Sequence, residues 1–115
     1  MVVHVGAFSA VGEIKKTASF RILRGSTAIG VADAAGSRFQ ANFRDFTDSD
    51  SNHARNGSFT HSDSPATTSA TTYKVQFNSQ GDVSMYVNRT GNDADNANAW
   101  GARCSSSITL MEISA

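Results

Sequence analysis

The chain has 115 residues, enough for a single domain that removes roughly two-thirds of its unfolded surface from water, so one core is expected. Ten basic and ten acidic residues cancel, and charged residues are only 17% of the chain, which argues against a sequence-independent nucleic-acid binder and gives no ground for a basic partner. The single cysteine, Cys104, excludes an intramolecular disulfide framework, and no window approaches the roughly 20 apolar residues of a membrane span.

Residues 1–12 lack the charged start and long apolar run of a signal peptide, so the protein is expected in a soluble compartment. In the same segment Val3 and Val5 alternate with His4 and are followed by Gly6. Residues 1–12 are therefore read as an N-terminal arm or first strand, and residues 13–115 as a single β-sandwich domain. Ala18, Phe20 and Ile22 then point one way and Ser19, Arg21 and Leu23 the other. Arg24-Gly25-Ser26 breaks the run before Thr27 to Ala32 resumes it, which predicts a hairpin.

Ser37 to Phe46 satisfies two periods. Phe39, Ala41 and Phe43 alternate as in a strand, while Phe39, Phe43 and Phe46 also fall at helical spacing; the aromatic content and the alternation of the neighbouring segments predict a strand. Asp48 to Asn52 reads as an exposed loop, Asn56-Gly57 as a tight turn, and Pro65 as a loop residue.

From Thr71 the alternation is cleanest. Tyr73, Val75 and Phe77 face one way, Gln80-Gly81-Asp82 turns the chain, and Val83, Met85 and Val87 continue, so this pair is expected to build the core. Asn92 to Asn98 is a polar loop. The last strand, within Trp100 to Ile113, carries Ile108 and Leu110 on one face and Met111 and Ile113 on the other. A strand apolar on both faces is sandwiched, and a neighbouring subunit is the simplest cover for the second face.

Little in the chain points to chemistry. The Asp48-x-Asp50-x-Asn52 spacing resembles a calcium loop, but His53 stands where the sharp turn needs glycine and Phe59 where a bidentate carboxylate is needed. Asp93-Ala94-Asp95-Asn96 has the same weakness, and solvated loops are expected at both places. His4, His53 and His61 have no zinc-like spacing with one another or with Cys104, and no nucleophile elbow, phosphate-cradling glycine loop or paired acid and base can be assigned. Neither an enzyme nor a cofactor is expected. Cys104 reads as a small buried hydrophobe, and Tyr86 and Trp100 as packing residues rather than a sugar-stacking surface.

The lead-in Ser64-Pro65-Ala66-Thr67-Thr68-Ser69 to the strand Tyr73-Lys74-Val75-Gln76-Phe77 is paired with a final Ser105-Ser106-Ser107-Ile108-Thr109-Leu110-Met111-Glu112-Ile113. Together they resemble small β-sandwich domains of tailed-phage structural proteins, which are similar to the trimeric jelly rolls of the tumour-necrosis-factor and complement-C1q type. The resemblance covers roughly Thr17 to Ile113. It implies an all-β, antiparallel two-sheet β-sandwich of jelly-roll form, a homotrimer made in the host cytoplasm and carried in the virion.

Two functions fit that resemblance. One is a capsid decoration, or cement, protein on the capsid exterior that bridges capsomers of the major capsid protein. The other is a tail-fibre tip that binds a host-surface glycan or protein. A fibre needs a shaft, and none precedes Val2, so the cement protein is expected. Tyr73, Val75, Met111 and Ile113 are expected at the trimer interface. Val2, Val3, His4 and Val5 are expected to dock on the capsid, in which case a chain lacking residues 1–10 would still fold.

Overall fold

The computed structural model describes residues 1–11, 17–47, 50–80, 83–98 and 101–113. They form β1 (Val2–Val11), β2 (Thr17–Arg24), β3 (Thr27–Ile29), β4 (Phe43–Phe46), β5 (Arg55–Thr60), β6 (Tyr73–Ser79), β7 (Ser84–Val87) and β8 (Ser107–Thr109). All pairings are antiparallel and divide the strands into two sheets. In the first sheet β1 is central, with β5 on one edge and β8 and β7 sharing the other; in the second β2 is central, with β6 on one edge and β4 and β3 sharing the other. The arrangement is that of an all-β protein compatible with a β-sandwich. Its smallest extent is 17 Å, which suits two sheets stacked about 10 Å apart.

The core lies between the two central strands. Val3, Val5 and Phe8 of β1 meet Ala18, Phe20 and Ile22 of β2, with Ile29 closing one end. The Phe8 and Phe20 rings stand edge to face with centroids 5.1 Å apart, a favoured aromatic geometry. This corrects the expectation that the Tyr73 and Val83 segments build the core as a pair. β6 and β7 belong to different sheets and lie at edges, so Tyr73, Val75, Met85 and Val87 only flank a core built by β1 and β2.

Of the two readings of residues 1–12, an arm or a first strand, the structure has the strand. Val2–Val11 is the longest strand described and the centre of its sheet. Its alternation is broken once: Val5 sits opposite Gly57 but Phe8 opposite Arg55, one extra residue on β1 and hence a β-bulge. A bulge moves the inward set by one position, so Val3 and Val5 and then Phe8 all reach the core. Gly6 lies within it because a Cβ there would collide with the Ser105 carbonyl oxygen. A strict period-two reading stops at Gly6 for this reason.

The predicted hairpin is present, with Arg24 opposite Thr27 across Gly25-Ser26. The predicted strand over Ser37 to Phe46 is reduced to Phe43–Phe46. β3 occupies the β2 edge at Ile22 to Arg24, leaving β4 only Thr17 to Phe20, and the upstream residues must leave the sheet. Asn42 plugs the junction: its side-chain oxygen accepts from the Ile22 amide at 2.8 Å and its side-chain nitrogen donates to the Ile29 carbonyl at 3.0 Å.

Asn56-Gly57 does not turn the chain but runs within β5. Gly57 is needed there for space, since a Cβ would overlap the Phe43 ring, which stacks on Phe59 across the sheets. Gly57→Ala is expected to destabilise the fold by about 1–3 kcal/mol through overpacking, read as a lower midpoint in urea with an unchanged slope.

Candidate interaction surface

The two long edges of the sandwich differ. Between β4 and β5 it is sealed, Phe43 and Phe59 lying nearly parallel with centroids 6.4 Å apart. Between β6 and the β8–β7 edge it is open, as a cleft of ≈ 290 Å³. Phe20, Val75 and Phe77 form one wall, and Val3, Val5, Val87 and Ile108 the other. Phe77 points toward the core, 6.3 Å from Phe20 between centroids, yet remains 55% exposed because nothing described from the facing sheet covers it.

The chain end adds to this apolar surface. Thr109 lies opposite Val2, so β8 runs off the end of β1 and Leu110 onward has no strand to pair with. Ile108, Leu110, Met111 and Ile113 are 42, 52, 70 and 91% exposed. The expected sandwiching of the last strand is thus not achieved within one chain. Of the residues assigned to a trimer interface, Val75 lines the cleft, and Met111 and Ile113 lie exposed beyond the end of β8. Tyr73 is drawn into a different cluster.

That cluster ties the 61–72 loop to the second sheet. Asp63, 13% exposed at its side chain, accepts two hydrogen bonds from one Arg24 guanidinium nitrogen at 2.9 and 3.1 Å, and one from the Tyr73 hydroxyl at 2.7 Å. Partial burial pushes the Asp63 carboxyl up, but the Tyr73 hydrogen bond and the Arg24 guanidinium outweigh it, and His61 adds to them. The group is held below its ordinary value. Tyr73 is raised above 10.0, chiefly by its hydrogen bond to that carboxylate.

The contribution of Asp63 is therefore complete at neutral pH and lost as pH falls through the carboxylate range, while that of Tyr73 is lost as pH rises beyond the ordinary phenol value. Asp63→Asn is expected to flatten the acid limb of a melting-temperature profile between about pH 5 and 2, with no comparable change in slope near neutrality.

Of the residues expected to meet a capsid, Val2 and His4 face outward, whereas Val3 and Val5 are 2 and 3% exposed and belong to the core. Their side chains are not available to a docking partner. Cys104, expected to be buried, is exposed; its amide donates to the Asn88 carbonyl at 2.9 Å. Asp93 is held by Arg89 at 2.7 Å and Arg103 at 2.5 Å, and the Arg89 guanidinium lies 3.9 Å from the Tyr86 ring centroid. Tyr86 thus packs under a cation, while Trp100 and Asp48 fall outside the described residues. Asp50 accepts from the Asn52 amide at 2.9 Å, as in a short polar turn.

The open edge was legible in part, because the last strand is apolar on both faces; Phe77 was missed as an exposed group because alternation assigned it to the core. No protein-family model, curated protein or solved structure matches the chain.

Proposed function

We propose that this protein is a structural module that works by self-association, a homotrimeric decoration protein of jelly-roll type on the exterior of a phage capsid. The observation that carries this reading is the open apolar cleft lined by Phe77 and Ile108, with Leu110, Met111 and Ile113 exposed in the segment that follows β8. Large exposed apolar groups gathered at one place mark interaction surfaces, because water penalises them in an isolated chain. In a trimer each open cleft is closed by a neighbouring copy, and the covered apolar area supplies the driving force at roughly 25 cal/mol per Å², less the cost of association. Attachment to the major capsid protein is then made by surface outside that cleft, with Val2 the exposed member of β1 that does not line it.

Sedimentation equilibrium at micromolar concentration tests the first step, with a trimer mass expected; a monomer overturns it. Co-sedimentation of the purified protein with undecorated capsids tests the second. Saturable binding to host cells with no binding to shells would instead make it a tail-fibre tip.

A further inference from the structure

We propose that the outer face of the second sheet carries a binding site for an acidic saccharide, bordering the apolar edge at Val75 and Phe77. A trough of ≈ 390 Å³ lies there, floored by Ser19 and Arg21 of β2 and Gln76 and Asn78 of β6, with Phe39 of the 30–42 loop as one wall. The register places Arg21 opposite Gln76 and Ser19 opposite both Asn78 and Arg44, so these side chains share one face. Lys74 joins them opposite Leu23.

Charge on this face is unbalanced although the chain as a whole is neutral. Among the described residues Arg24 is paired with Asp63, and Arg89 and Arg103 with Asp93, but Arg21, Arg44 and Lys74 form no ion pair. Arg21 is nevertheless held in place. Its Nε donates to Gln76 Oε1 at 2.9 Å and its guanidinium lies 5.7 Å from the Phe39 ring centroid, within cation–π range. With Nε engaged, the two terminal nitrogens remain to bind a planar carboxylate in the forked manner that suits arginine.

The other groups narrow the ligand. Phe39 is 47% exposed and offers an apolar plane of the kind on which the C–H face of a pyranose ring packs. Exposed Gln76 and Asn78 supply amide groups for sugar hydroxyls, with Ser19, 7% exposed, in the floor beneath them. β2, paired on both edges, directs its amides into the ladders, so the floor lacks the converging backbone N–H groups of a phosphate cradle. A uronate ring therefore fits better than a nucleotide.

Titration of the full chain with tetragalacturonic acid, followed by amide chemical shifts, is expected to move Ser19, Arg21, Gln76 and Asn78 saturably, with maltotetraose, uridine monophosphate and sulfate each at least about tenfold weaker. Arg21→Gln and Phe39→Ala, both at accessible positions, are each expected to weaken binding by about tenfold or more while leaving the sedimentation behaviour unchanged. No saturable shift in the wild type, equal binding of any of the three comparison ligands, or binding retained in Phe39→Ala overturns the proposal. If either variant fails to fold, the wild-type shift map and ligand ranking decide it.

Discussion

A chain lacking residues 1–10 is expected not to fold. The deletion removes the central strand of one sheet, so that β5, β7 and β8 lose the strand with which they pair. It also removes Val3, Val5 and Phe8 from the core. At about 1.5–3 kcal/mol for each large apolar side chain withdrawn from water, their loss alone approaches the whole stability of a typical small domain, about 5–15 kcal/mol. Phe8→Ala is the milder form of the same experiment and is expected to cost about 3–5 kcal/mol. Far-ultraviolet circular dichroism and urea titration read both outcomes. A truncated chain with a cooperative unfolding transition would mean that β1 is dispensable and its pairing misassigned.

Introducing a charge at the open edge is expected to separate the subunits while sparing the fold. Met111 is 70% exposed and follows the end of β8, so Met111→Glu should leave the thermal transition of the isolated chain nearly unchanged. In the assembly the same carboxylate would be buried without a partner, a cost of several kcal/mol that corresponds to a loss of affinity of about 100-fold or more. Ile108→Glu, inside the cleft, should act in the same direction and also cost some stability of the chain. Analytical ultracentrifugation of the two variants beside the wild type separates the effects. Wild-type association that survives both substitutions would place the interface elsewhere.

Much of the second sheet could be read along the chain. Ala18, Phe20 and Ile22 alternate with polar positions and do face the core, and the glycine at the following turn folds β3 back on β2, because hairpin pairing is set by neighbours in sequence. The faces of β6 and β7 were equally plain, since Tyr73, Val75, Met85 and Val87 all pack on the core. Their mutual arrangement was not. Two consecutive alternating strands look like a hairpin whether they pair or cross to opposite sheets, and here they cross.

The sequence by itself determined that the chain is all-β, which side of most strands is apolar, and that the last strand has more apolar surface than one core can use. Each depends on side-chain period and composition, which survive without knowledge of partners. Only the tertiary structure decided that β1 is central, that a bulge brings Phe8 inward after Val5, that β3 cuts β4 short, and that Gly57 clears space for Phe43. It also gathered Arg21, Phe39 and Gln76 on one face from three separate segments. These are competitions for a shared strand edge or a shared volume between residues distant in the chain, and local periodicity carries no record of the competitor.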